Sequence, residues 1–164
     1  PAAPVRSLAE VIEFNERHSE RTMPWFGQDL LVQAQEKGPL TEKAYRKALE
    51  TSRRLSRTEG LDAAFARHRV AALVAPTGSP AFKIDLINGD HFLGGSSSPS
   101  AMAGYPAITV PMGSVRGLPV GLTFMGPAWS EPALIRFAHA FEQATKARRP
   151  PTFPPTVDPQ AERG

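Results

Sequence analysis

The chain has 164 residues, with 19 Lys plus Arg against 16 Asp plus Glu and a formal net charge of +3. A chain of about 150 residues buries roughly 70% of the surface its unfolded form exposes, so one domain with its own core is within reach. The absence of Cys excludes disulfide frameworks, cysteine nucleophiles and thiolate zinc sites, while 13 Gly and 17 Pro fall short of a low-complexity composition.

Ser7 followed three residues later by Glu10 is a capping box, and Leu8, Val11 and Ile12 recur at helical spacing. A helix is predicted from about Ser7 to Arg21, stopped by Pro24, with Trp25 and Phe26 packing the corner. A short second helix carries Leu30, Leu31 and Ala34 and ends at Gly38 and Pro39, glycine cap before proline stop. Thr41 then opens a long third helix reaching His68, with Tyr45, Leu49, Leu55, Leu61 and Phe65 near one face and a kink at Gly60. Ala71 to Ala75 has the composition of a strand buried on both faces.

From Pro76 to Ser97 no period is sustained, and a loop of that length inside a compact domain is usually functional. Ser98 with Pro99 reads as the N-cap and first residue of a short helix closed by Gly104. Ala107 to Met112 and Leu118 to Met125 read as an antiparallel pair joined by a turn at Gly113 to Gly117. Ser130 and Glu131 open a last helix with Leu134, Ile135, Phe137, Ala138 and Phe141 as its apolar stripe. The expected division is 1–149 as the core segment and 150–164 as an extended tail, in which Pro150, Pro151, Pro154, Pro155 and Pro159 lie. Three strands are few for a complete sheet, and Pro1 in place of Met reads as a processed chain or a piece of a longer one.

No stretch reaches the roughly 20 apolar residues that cross a bilayer, and no charged-then-apolar leader opens the chain. A cytoplasmic protein without a membrane partner is expected. Basic residues between Arg46 and Arg57 share their segment with Glu42, Glu50 and Glu59, which is the pattern of a solvated helix face. Lys146, Arg148 and Arg149 close a helix, where cations complement its dipole. Without aromatic and basic residues interleaved, no nucleic-acid partner is expected.

The densest group of chemically able residues is Asp90, His91, Gly94, Gly95, Ser96, Ser97 and Ser98. Its bland reading is a glycine-serine turn that caps a helix. Its sharper reading makes Ser96 or Ser97 a nucleophile with His91 as base and Asp90 or Asp85 as orienter, but three residues on one loop seldom converge in that way. His18, His68, His91 and His139 show no helical pairing that would hold a metal, so no metal is expected. Phe14, Trp25, Phe26, Phe65, Phe124, Phe137 and Phe141 read as core.

The string LVAPTGSPAFKIDLINGDHFLGGSSSPSAMAGYPAITVPMG followed by LPVGLTFMGPAWSEPALIRFAHAFEQATKARRPP resembles the C-terminal core of the amidase signature hydrolases. The resemblance is carried by Leu73 to Thr77, AGYPAITVP at Ala103 to Pro111, GLPVGLTFMG at Gly117 to Gly126 and AFEQAT at Ala140 to Thr145, taken in that order. FNE at Phe14 to Glu16 and WFGQDLL at Trp25 to Leu31 extend it over nearly the whole chain.

The resemblance implies an α/β fold with a large mixed sheet wrapped by helices. It also implies hydrolysis of a carboxylic amide through a serine activated by a second serine and a lysine, without metal or organic cofactor. The family's lysine and its glycine-serine signature have no match here: Lys83 lacks their surroundings, and Gly94 to Ser98 only mimics them. No catalytic residue is carried over. The expected partners are a small-molecule amide, the N-terminal catalytic half of the same protein, and a second copy of the chain at an uncovered sheet edge. The expected substrate-binding residues are Asn88, Asp90, His91, Ser96, Ser97 and Trp129, on the loop from Asp85 to Ser97 and beside the last strand. Two other readings remain: a noncatalytic binding or assembly module, and a small independent serine hydrolase using Ser96 or Ser97.

Overall fold

A computed structural model describes residues 4–153; Pro1 and the tail prolines Pro154, Pro155 and Pro159 lie outside them. The chain divides into two compact units, Pro1–Lys47 and Ala48–Gly164.

The first unit begins with α1 (Leu8–Arg17), where the Ser7 hydroxyl accepts the Glu10 N–H at 3.2 Å. Glu10 reaches back to the Arg6 N–H at 2.6 Å, one residue upstream of the usual partner in a capping box. The predicted helix breaks at His18, whose φ/ψ of −120°/27° is not helical, and resumes as α2 (Ser19–Thr22). His18 Nδ1 lies 2.8 Å from the Phe14 carbonyl, which only a protonated Nδ1 can bond, and the two rings stack at 4.3 Å. Local polar bonds of this kind compete with the helix ladder.

Helix α3 (Asp29–Gln35) is tied to α1 by Gln28, which accepts from Asn15 Nδ2 and donates to the Ile12 carbonyl, both at 3.1 Å. It ends at Glu36 in right-handed geometry, so Gly38 does not act as the expected left-handed cap. None of the described residues of this unit is buried, and Trp25 and Phe26 are exposed rather than core. The unit's apolar contacts are half-buried ones, among them Leu8, Val11, Ile12 and Leu31, and the two rings stand outside them.

Helix α4 (Lys43–Arg53) continues through a π-helical stretch, Arg54–Leu61, into α5 (Asp62–His68). The kink falls at Gly60, as expected, with φ/ψ of −101°/−105°. A Cβ there would meet the Leu55 carbonyl oxygen at 2.5 Å, which makes glycine necessary for this bend. Strand β1 (Leu73–Pro76) follows, then the long loop, α6 (Ser97–Ala103), β2 (Ala107–Val115), β3 (Leu118–Met125) and α7 (Glu131–Thr145).

The sheet is antiparallel throughout, in the order β1-β3-β2. Helix α7 packs on β2 and β3, with Leu134 and Ala138 buried and Phe141 edge-on to Phe124 at 6.0 Å. Ile135 and Phe137 turn outward, narrowing the predicted stripe. Strand β1 lies at the sheet edge beyond that cover and Val74 is exposed, so the strand is not buried on both faces. On the opposite sheet face Leu73 and Tyr105 join a buried cluster of Leu61, Phe65 and Ala103.

Strand β2 runs past the predicted turn to Val115, because Gly113 (φ 150°) forms a bulge with Met112 as the extra residue. The turn itself is Arg116–Gly117, both at positive φ, the geometry of a two-residue hairpin. Helix α6 starts at Ser97 with Ser96 as its N-cap, two residues before the predicted Pro99 and Ser98, and ends at Gly104 in left-handed geometry. Ser130 is the N-cap of α7 through its carbonyl, whereas its hydroxyl is buried against Gly126 without a hydrogen-bond partner.

One side chain joins the π-helical stretch to the end of α6. Arg57 Nε donates to the carbonyl of fully buried Ala103 at 2.5 Å, and its guanidinium lies 5.5 Å from the Tyr105 ring centre. The Tyr105 hydroxyl donates to Asp62 at 2.8 Å, which raises the tyrosine pKa above its ordinary value. Arg57→Ala removes a charge-assisted bond to a buried carbonyl and is expected to cost about 1–3 kcal/mol. Thermal denaturation checks it, and Arg57→Lys is expected to recover less than half of the loss because an ammonium cannot also stack on the ring.

Candidate functional site

Immediately after β1, the Thr77 N–H donates to the Gly121 carbonyl at 2.7 Å and prolongs the pairing with β3. The Thr77 carbonyl then accepts the Ser96 N–H at 3.1 Å, with the Ser96 hydroxyl 3.5 Å away. Gly78 pairs with Gly95 as an isolated antiparallel bridge. A Cβ on Gly95 would stand 3.0 Å from the Thr77 carbonyl oxygen, so glycine permits this close approach of two backbones. The long loop therefore leaves and returns at one pinned root.

Within the loop Asp85 organises a turn. Its carboxylate accepts the N–H groups of Ile87 and Asn88, both at 2.9 Å, and the Asn88 side-chain amide at 3.1 Å. The Asp90 carboxylate accepts the Asp85 N–H at 3.3 Å, and the rings of Phe82 and Phe92 meet edge-on at 6.4 Å. Asn88 and Asp90 thus sit together in a turn they help to hold, and His91 follows them, exposed. Ser96 is buried at the loop root, Ser97 is the exposed first residue of α6, and Trp129 is 89% exposed at φ 63° just before α7. No hydrogen bond joins His91 to Ser96 or Ser97 among the described residues, and the Asp85 carboxylate is spent on its own turn, so the local triad is not assembled.

A feature the sequence reading missed lies on the sheet beside the loop root. Thr77, Thr109 and Thr123, one from each strand line, bring their hydroxyls together: Thr77 to Thr123 at 2.8 Å, Thr109 to Thr123 at 2.9 Å and Thr77 to Thr109 at 3.4 Å. Thr123 is buried and the other two border an open hollow of about 390 Å³ with Gly78, Gly121 and Pro111. A Cβ on Gly121 would lie 2.7 Å from the Thr77 hydroxyl and 2.9 Å from Thr109 Cγ2, so glycine here makes the room that lets the two threonine side chains converge. None of the six expected binding residues lines it. The period of two places Thr109 and Thr123 on strands, but their opposition depends on the bulge at Met112, which no turn signal in the sequence announces.

The family described as Amidase matches residues 9–135 of the chain. The chain belongs to the amidase family. It is 39% identical over 154 residues to a probable amidase of Arabidopsis thaliana, a match covering 92% of this chain and 26% of that protein. Among solved structures it resembles a peptide amidase in complex with the competitive inhibitor chymostatin, at 55% identity and a TM-score of 0.85 over 92% of this chain and 31% of that one. The native peptide amidase of Stenotrophomonas maltophilia gives 53% identity and a TM-score of 0.82, over 92% and 30% of the two chains. The amidase chain described here thus spans about a quarter to a third of the length of these relatives, and it matches their C-terminal part. The fold class is α/β, that of the amidase signature proteins, with all three strands of this portion antiparallel. No helix among the described residues is long and apolar enough to cross a membrane.

The Asp85 turn makes a pH prediction. Hydrogen bonds from the Asn88 N–H, the Asn88 side chain and the Ile87 N–H, in that order, hold the Asp85 pKa below its ordinary 3.8. A depressed carboxylate pKa stabilises the turn above about pH 4, and this is lost as pH falls through the lowered value. A carboxyl carbon titration by NMR should give a midpoint under 3.8 for Asp85, and Asn88→Ala should move it upward while the backbone donors remain.

Proposed function

We propose that this chain is the C-terminal part of a hydrolase that converts peptide carboxamides to the acid and ammonia. The observation that carries the reading is the 55% identity, at a TM-score of 0.85, to a peptide amidase over 92% of the chain. In this reading a lysine and two serines outside the chain perform the acyl transfer: a serine attacks the amide carbonyl, ammonia leaves, and water releases the acid from the acyl-enzyme. The chain supplies part of the central sheet and one wall of the substrate pocket. It requires no metal or organic cofactor, acts in the cytoplasm without membrane or nucleic-acid partners, docks against the N-terminal catalytic half of the same protein, and associates with a second copy of itself.

The pocket wall is the loop from Asp85 to Ser97, with Trp129 beside it. Asn88, Asp90, His91, Ser96 and Ser97 contact the substrate. The pinned root at Gly78 and Gly95 supports this role, because a loop presenting polar groups from a fixed base positions them at lower entropic cost than a free one. The side chains of Asp85 and Asn88 hold the turn, and His91, which makes no bond within it, is left to meet substrate.

The complete amidase should release ammonia from N-acetyl-L-leucinamide and react with a fluorophosphonate at a serine outside residues 1–164, whereas this chain alone should do neither. Labelling at Ser96 or Ser97 would overturn the division of labour. In the complete enzyme, at least one of Asn88→Ala, Asp90→Ala and His91→Ala should change kcat/KM by roughly fivefold or more with little change in melting temperature. Wild-type kinetics in all three would make the loop a connector only.

A further inference from the structure

The hollow beside Thr77 differs in chemistry from the loop that rises next to it. Its lining contains no ionisable side chain: its polar groups are the hydroxyl-bearing residues Thr77, Ser79 and Thr109 and the backbone of Gly78 and Gly121, flanked by Pro111 and Val120. A carboxylate or ammonium entering it would find no counter-charge among its lining residues, whereas a neutral amide group needs none.

The three hydroxyls also have a switchable pattern. Each carries one proton and two lone pairs. If Thr109 donates to Thr123 and Thr123 donates to Thr77, the Thr77 proton has only the long 3.4 Å path to Thr109 and is free for a guest carbonyl. If the direction is reversed, Thr77 donates to Thr123 and its remaining lone pairs can accept a guest N–H. Thr123, buried on the central strand, relays the choice. A group that both offers a carbonyl and donates an N–H suits this cluster, and the hollow bordered by Thr77 and Thr109 gives it room.

We propose that the hollow is a subsite for an uncharged amide group in the acyl part of the substrate, bonded by the Thr77 hydroxyl, with Thr109 and Thr123 as positioning residues. This rests on the amide-hydrolase reading and adds to it a second recognised amide, distinct from the one that is cleaved.

The test uses the complete amidase and two substrates that differ only in that second amide, N-acetyl-L-leucinamide and 4-methylpentanamide, together with calorimetric binding of the two corresponding methyl ketones, which cannot be hydrolysed. Thr77→Val should raise KM and weaken ketone binding roughly fivefold for the acetamido compounds and less than twofold for the others. Thr77→Ser should restore both, and Thr123→Val should show the same selectivity with a smaller effect. Equal losses for both compounds with a lowered melting temperature, no loss for either, or no binding of the acetamido ketone to the wild type would each overturn the subsite, leaving the threonines as a tie across the strands. If neither amide is hydrolysed but ketone binding keeps its dependence on Thr77, the hydrolase reading falls and the subsite stands.

Discussion

The hairpin of β2 and β3 is held in register by one extra residue. Counting back from the Arg116–Gly117 turn without a bulge would set Thr109 opposite Phe124, putting a hydroxyl on the face that α7 covers. With Met112 bulged out and Gly113 at φ 150°, Thr109 instead faces Thr123, and Pro111 faces Gly121. A slip of one residue exchanges the two faces of a strand, so this bulge decides both the apolar face under Leu134 and Ala138 and the hydroxyl face beside the loop. Strand β1 then completes the polar row, because Ala75 pairs with Thr123 and Thr77 follows it.

From that face the rest of the site is hung at two points. The Thr77 backbone bonds forward to Gly121 and across to Ser96, which fixes the loop root and the start of α6 together. The far end of α6 is held by Arg57 on the Ala103 carbonyl and by Tyr105 on Asp62. A seven-residue helix has little stability of its own, so these terminal attachments, rather than helix propensity, position it. Between the two attachments buried Ser100 and Ala103 leave no room for the helix to slide.

The surface of the chain carries an unusual load of apolar groups. Ile84, Leu86, Ile87, Phe92 and Leu93 are exposed on the loop, and Trp25 and Phe26 on the first unit. Exposed apolar groups concentrated in one loop mark a place where another protein surface docks. The amidase relatives are three to four times as long as this chain, and the proposed docking against their catalytic half gives those side chains a use that a surface loop would not.

By itself the sequence determined the amidase family, the order of helices and strands, the kink at Gly60 and the antiparallel hairpin, because these follow from local spacing, glycine and proline chemistry and runs of matching residues. It also marked the loop between Asp85 and Ser97 as a place of interest, since no periodic signal spans it. It misjudged where burial falls: Trp25, Phe26 and Val74 have the composition of core, but burial depends on what packs against a residue rather than on what the residue is. The break at His18 was not predicted and α6 began two residues early, because a side-chain bond at the end of α1 and a backbone bond between Thr77 and Ser96 act at these helix ends. Only the tertiary structure decided that Thr77, Thr109 and Thr123 meet, because their convergence requires three strands, one bulge and a residue beyond the end of β1 to be set in register at once.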